Sequence, residues 1–340
     1  MKKTQPLISV CIPVFETESF LDPCLRSVIM QDFPSFEIIV VSDASDGRDN
    51  KGRNAKKIIG LINKECKKIR KAKKLPKVAI KFIEHSENRG LIEVRRSLCY
   101  EARGLYVFQL DSDDELEKGA LSALYSNSDG CDIVHGSSVA GVFDDKGCFI
   151  PGENNVYGQI FYGKLENHQI FSNWLIDKKM TSNTWGKLIK RELFLKIFEM
   201  IPYTECNLAE DFLLFFFISQ FAKSYIGIRD KVYRYRIDSG MTSRRTIDSI
   251  KKWKMICSCS SVFTIISDWI KKNPEKLQTE EIEKIRTMSR YYLKNNLIQL
   301  QKTVTPALQP QAYEILCEYW GKDYVEAIEK LMEENQKPTQ

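Results

Sequence analysis

Asp111-Ser112-Asp113-Asp114 sets three carboxylates directly after the apolar run Leu105-Tyr106-Val107-Phe108-Gln109-Leu110. Hard divalent cations take oxygen ligands and keep waters and phosphates in their shell, so aspartates one residue apart suit Mg²⁺ or Mn²⁺ holding a diphosphate. An acidic turn capping a helix that starts near Glu117 is the plainer reading of the same residues. A second carboxylate pair, Glu210-Asp211, leads the apolar stretch Phe212 to Ile218. At a helix start such a pair gains from the helix dipole and stays ionised, as a general base must.

These groups need a frame that holds them at one edge. Leu7 to Phe15, Phe36 to Val41, Val78 to Ile83 and Leu105 to Leu110 each read as a buried strand. Helical patterns separate them: one with Leu21, Leu25, Val28 and Ile29 on a single face and Ser19 as its cap, a basic one, and one from Asn88 to Arg103. Strand alternating with helix predicts an α/β fold with a mostly parallel sheet, whose carboxyl edge gathers Pro13 to Glu16, Asp43 and Asp111 to Asp114. Past His135 the pattern loosens around Gly141 to Gly152, which reads as a connection to a second half. Trp185 to Phe194 reads as a helix, and from about Thr246 onward the chain reads as helical.

The 340 residues suffice for a large core, and the formal net charge of +6 is unevenly placed. Most of the excess lies between Arg48 and Lys77, which reads either as a solvated helix face or as a patch for an anionic inner leaflet. Few aromatics interrupt it and no nucleic-acid motif appears, so a nucleic-acid partner is not expected. The ten cysteines are scattered without any C-x-x-C pair, which predicts reduced thiols in a cytoplasmic protein. No stretch is long and apolar enough to span a bilayer. No G-x-G-x-x-G follows the first strand, which excludes an ordinary dinucleotide site. His85, His135 and His168 read as structural rather than as metal ligands.

Taken in series, the motifs resemble the inverting family 2 glycosyltransferases of the GT-A fold, especially bacterial enzymes that build surface polysaccharides. They are Ile12-Pro13-Val14-Phe15, Ile38 to Asp43 with Ser45, Asn88-Arg89-Gly90-Leu91 leading to Arg95, and Asp111 to Asp114. Trp185 to Phe194, Glu210-Asp211, and Tyr233 to Arg236 with Ser239 and Thr242 complete the series. The resemblance runs from Ile8 to about Ser243. It implies a GT-A domain over 1–245, with a nucleotide-binding half (1–136) and an acceptor-binding half (137–245), and after it a helical region over 246–340.

The resemblance also implies roles. Pro13, Phe15, Glu16 and Asp43 would surround the nucleobase, with Asp43 accepting from uracil N3–H, and Arg95 and Ser112 would lie near the nucleotide. Asp113 would ligate the Mn²⁺ or Mg²⁺ that bridges the diphosphate of a UDP-sugar, and Asp111 would touch either the ribose or that metal. Asp211 would be the general base, and Arg244 or Arg245 would close over the diphosphate. Beside these, Trp185 reads either as a platform for a sugar face of a glycan or lipid-linked glycan acceptor or as a core aromatic, with Glu210 on the acceptor side. Members of the family often carry two aspartates where Ser42-Asp43 stands, and asparagine where Glu16 and Arg96 stand. A catalytically silent scaffold of the same fold is the alternative from another class. A sugar-nucleotide nucleotidyltransferase fits less well, because Pro13 to Glu16 replaces the glycine-rich basic loop it would carry.

Overall fold

The structure, a computed structural model, describes residues 5–144, 147–152, 158–239 and 246–334. The chain divides into two compact units, Met1–Pro202 with Leu214–Gly240, and Tyr203–Leu213 with Met241–Gln340.

The first unit opens with β1 (Ile8–Val14), α1 (Glu18–Ile29), β2 (Phe36–Ser42), α2 (Ala55–Ala72), β3 (Ile80–Glu84), α3 (Leu91–Glu101) and β4 (Tyr106–Gln109). Every residue of β1, β2 and β4 is buried, which is why these strands read as mostly apolar runs. The four strands pair in parallel in the order β3-β2-β1-β4, with Val14 opposite Ser42 and Cys11 opposite Gln109. That register brings the loops after β1, β2 and β4 to one edge. On α2 the stripe Ile58, Ile59, Ile62 and Cys66 packs inward. The exposed side carries Lys56, Lys57, Lys64, Lys67, Lys68 and Lys71. Arg70, by contrast, is buried and donates to the carbonyls of Gln31, Phe33 and Pro76, so it anchors the helix end.

Beyond β4 come β5 (Glu115–Leu116), α4 (Ala120–Ser126), β6 (Ile133–Phe143), β7 (Phe149–Pro151), β8 (Gly163–Glu166), α5 (His168–Leu175), β9 (Lys187–Lys190), α6 (Arg191–Met200), α7 (Glu210–Phe221) and β10 (Ser224–Arg236). Among the described residues the sheet has ten strands and continues as β4-β9-β6-β10-β5, with β7 on β6 and β8 on β10.

Three local expectations are corrected. The stretch Gly141 to Gly152 is no mere connection, since β6 and β7 pair antiparallel through Gly141, Val142 and Phe143. A Cβ at Gly141 would stand 2.3 Å from the Ile150 carbonyl oxygen, so glycine is what lets the two strands meet. Trp185 to Phe194 is not one helix: Lys187–Lys190 is a strand antiparallel to both β4 and β6, and α6 begins only at Arg191. Ser19 is not the cap of α1; the cap position belongs to Thr17, whose side chain makes no capping bond.

The second unit is helical, with α8 (Ile250–Cys257), α9 (Cys259–Lys272), α10 (Thr279–Lys302), α11 (Gln309–Trp320) and α12 (Lys322–Glu334). Trp253, Cys257, Leu293, Leu297, Leu316 and Val325 form its core. Among the described residues no helix is long and apolar enough to cross a membrane.

Candidate active site at the carboxyl edge of the sheet

Carboxylates stand at the carboxyl ends of two strands, and each group is built differently. Asp43 directly succeeds β2 and is 2% exposed. Its Oδ1 lies 2.7 Å from His85 Nδ1, and its carboxylate accepts the backbone N–H groups of Arg89 and Gly90 at 3.0 to 3.1 Å. Three donors therefore occupy an ion with about four lone-pair positions. The chain reaches this arrangement because β3 ends beside β2, placing His85 at its tip, and the Asn88-Arg89-Gly90 turn enters α3.

The acidic turn after β4 is tied to β10 and to Ser239 just beyond that strand. The Tyr233 hydroxyl donates to Asp114 Oδ2 at 2.7 Å and accepts the Asp111 N–H at 3.2 Å. Asp114 Oδ1 accepts the Arg236 N–H at 2.7 Å, and Arg236 Nε donates to the Asp113 carbonyl. The Arg236 guanidinium is itself held over the rings of Phe20 and Phe143. Arg95, 1% exposed, reaches Asp111 Oδ1 at 3.1 Å, and the Ser239 hydroxyl donates to Asp113 Oδ2 at 2.7 Å. Thr17 turns its hydroxyl from the α1 amides to Ser112, 2.6 Å away, and so joins the loop after β1 to the acidic turn.

Burial separates the three aspartates. Asp111 and Asp113 are partly exposed, whereas Asp114 is 1% exposed. Burial, with the charges of Asp113 and Asp111 beside it, pushes the Asp114 carboxyl well above the usual carboxylate range. Asp114 is thus the internal strut of the turn, and Asp111 and Asp113 are its outward oxygen donors. Those donors are the hard ligands that Mg²⁺ or Mn²⁺ prefers, and the set fits such an ion completed by phosphate oxygens and water.

Pro13 is buried in β1, Phe15 is half-buried, and Glu16 is exposed with its N–H on Ser45 Oγ at 2.8 Å. Glu16 (φ 55°), Ala44 (φ 52°) and Ala209 (φ 65°) hold left-handed backbone that costs a non-glycine residue about 1 kcal/mol or more. Each adjoins a candidate residue or is one. Arg96, where the resemblance leads one to expect asparagine, pairs with Glu93 and donates to the carbonyls of Phe198, Ile201 and Pro202. It therefore anchors the end of α6 instead of joining the edge.

Trp185, which the sequence leaves open between a sugar platform and a core position, is buried. It is 5% exposed, and its ring stacks on Tyr233 and Tyr235 at centroid distances of 4.6 and 5.2 Å. Glu210 and Asp211 form the first turn of α7 and belong to the helical unit. Glu210 is buried, and burial with Glu210 beside it pushes the Cys206 thiol up to about 12. Asp211 is half-buried, and Phe212 next to it packs on Phe263, which also meets Tyr292 and Trp320. Arg244 and Arg245 lie outside the described residues.

Sequence reasoning left His85 outside the site and gave no role to Thr17, Ser97, Tyr233, Arg236 or Ser239. The signal for the last three was the Tyr233 to Ser239 motif. His135 is bonded to the Tyr225 hydroxyl, and His168 is stacked on Phe171.

Residues 9–203 match the family model for glycosyl transferase family 2. The chain is 30% identical over 244 residues to glycosyltransferase GlyA of Streptococcus pneumoniae, a match spanning 70% of this chain and 31% of that protein. It is 30% identical over 159 residues to the GalNAc(5)-diNAcBac-PP-undecaprenol beta-1,3-glucosyltransferase of Campylobacter jejuni, spanning 47% of this chain and 43% of that one. The chain thus covers less than half the length of either relative. The fold resembles that of Staphylococcus aureus TarS residues 1–349, solved in complex with UDP. That likeness has a TM-score of 0.52 at 18% identity and covers 98% of this chain and 93% of the other.

Proposed function

The chain belongs to glycosyl transferase family 2, and on that premise we propose that it transfers one sugar from a UDP-sugar to a glycan, with inversion, in bacterial polysaccharide synthesis. The observation that carries this reading is the paired edge, with a buried, nearly saturated Asp43 after β2 and the outward Asp111 and Asp113 after β4. With three donors already on it, Asp43 has room for a single N–H. A uracil edge supplies one at N3, whereas guanine presents two donors side by side. Pro13, Phe15 and Glu16 flank the same loop.

Asp111 and Asp113 are the residues that would hold Mn²⁺ or Mg²⁺, which when bound neutralises charge developing on the leaving diphosphate. Arg95 and Ser239 set the orientation of those two carboxylates. Asp211 takes the proton of the acceptor hydroxyl as its oxygen bonds to C1 of the sugar. The bond from C1 to the diphosphate oxygen breaks, UDP leaves, and the single displacement inverts the anomeric centre. Glu210 stands in the same turn and is buried. The family 2 relative from Campylobacter is named for an undecaprenol-diphosphate glycan, which supports a lipid-linked glycan as acceptor here.

The exposed lysines of α2 support peripheral contact with an anionic leaflet on the cytoplasmic side. Co-sedimentation should rise with the fraction of anionic lipid; equal binding to neutral vesicles would remove this assignment. The transfer reading is tested by incubating the protein with a panel of nucleotide sugars and Mn²⁺. We expect release of UDP from at least one UDP-sugar and its loss on chelation with EDTA. Release from GDP-sugars alone, or none from any donor, would contradict it.

A further inference from the structure

We propose that His85 is the positioning residue that restricts Asp43 to one nucleobase N–H and thereby sets the preference for uracil over guanine. The inference rests on the reading of Asp43 as the nucleobase acceptor. His85 sits immediately after β3, is 7% exposed, and donates its backbone N–H to the Ser42 carbonyl at 2.9 Å. Its ring spans from Asp43 Oδ1, 2.7 Å from Nδ1, to Ser97 Oγ on α3, 3.0 Å from Nε2.

A carboxylate only accepts, so Nδ1 carries the hydrogen, and Nε2 meets the Ser97 hydroxyl, which can donate or accept. The hydrogen on Nδ1 is thus set by the carboxylate, and the Ser97 hydroxyl holds the far side of the ring. The Arg89 N–H bridges Oδ1 and Oδ2 at 3.1 and 3.0 Å, and the Gly90 N–H donates to Oδ2 at 3.0 Å. His85 therefore does two things: it stops the carboxylate from rotating, and it occupies the acceptor position that a second ligand donor would use. Removing the ring returns that position, and a carboxylate with two adjacent acceptor sites matches the N1–H and N2–H₂ donors of guanine.

Asp43, His85 and Ser97 also have the connectivity of a nucleophilic triad, but the position of the serine rules out that chemistry. Ser97 stands inside α3, where the neighbouring amides are committed to helical bonds. No backbone pair there can hold an oxyanion.

The experiment is calorimetric titration of UDP and of GDP, each with Mn²⁺, into the full chain and its variants. Wild type should prefer UDP. His85→Ala should weaken UDP on the order of tenfold and lower the UDP-to-GDP preference by a similar factor. His85→Asn, whose amide N–H takes the place of Nδ1–H, should recover most of both. Ser97→Ala should shift both in the same direction by about two- to threefold, through the lost hydrogen bond to Nε2. Unchanged UDP affinity and preference in His85→Ala, alongside lost UDP binding in Asp43→Ala, would overturn the role of His85 alone. Unchanged affinity in Asp43→Ala would overturn the reading of Asp43 itself. Should His85→Ala fail to fold, the ¹⁵N spectrum of the wild-type imidazole decides: the Nδ1–H tautomer supports the inference, and the Nε2–H tautomer overturns it.

Discussion

Asp43 and Asp113 come after strands that flank the same central strand, β1, yet the protein treats them in opposite ways. Asp43 is sealed in and gripped by two backbone amides and an imidazole. Asp113 stays partly exposed and is steered by one serine hydroxyl. Backbone amides cannot swing away, so Asp43 presents one fixed, desolvated acceptor, which is what discrimination among neutral base edges requires. A cation needs carboxylates that can keep water and phosphate around it, and the acidic turn leaves Asp111 and Asp113 in that condition. The strut beneath them, Asp114 with Tyr233 and Arg236, takes the burial that Asp111 and Asp113 avoid.

If this division is correct, variants on the two sides should fail in different steps. Asp113→Ala should lower metal-dependent UDP release by roughly a thousandfold or more, from the loss of charge neutralisation on the leaving group. Its apparent melting temperature should stay close to wild type. Asp211→Asn should lower transfer by about a hundred- to a thousandfold while leaving UDP binding, with or without metal, at the wild-type value. Steady-state transfer measured beside calorimetry separates the two. Tyr233→Phe removes a bond to the buried Asp114 and one to the Asp111 amide, and should cost about 1–3 kcal/mol in denaturant unfolding. Transfer should fall with it, because the turn loses its fixed position.

The smallest effect is in pH. Folding raises the Asp114 pKa, so its protonated form contributes stability that is complete below the ordinary value of 3.8 and is lost as pH rises through the folded-state value. Wild type should therefore lose stability relative to Asp114→Asn as pH climbs above that range. Parallel melting curves for the two would contradict a buried, proton-retaining Asp114.

The parallel half was legible because β1, β2 and β4 are short apolar runs separated by amphipathic helices, a local pattern that needs no distant partner. From it the edge and its aspartates could be placed. The strand Lys187–Lys190 was not legible. Ile189 and Leu193 stand four apart, as on a helix face, and it is the neighbours β4 and β6 that make the first part a strand. Trp185 was open between a sugar platform and the core for a related reason, since only the packing against Tyr233 and Tyr235 decides that its faces are filled. His85 and Ser239 lie 42 and 126 residues from the carboxylates they serve, so no spacing rule could pair them. Arg96 departs from the family pattern with a structural cause, the end of α6, that appears only once the helices are assembled.

The most direct measurement is the affinity of UDP for wild type, Asp43→Ala and Asp113→Ala, each titrated with Mn²⁺ and again in EDTA. Asp43→Ala should weaken UDP by a similar factor in both conditions. Asp113→Ala should bind as wild type does in EDTA and lose the gain that Mn²⁺ brings. A metal gain that survives in Asp113→Ala, or a loss in Asp43→Ala confined to Mn²⁺, would contradict the division of the edge into a base-reading and a cation-holding aspartate.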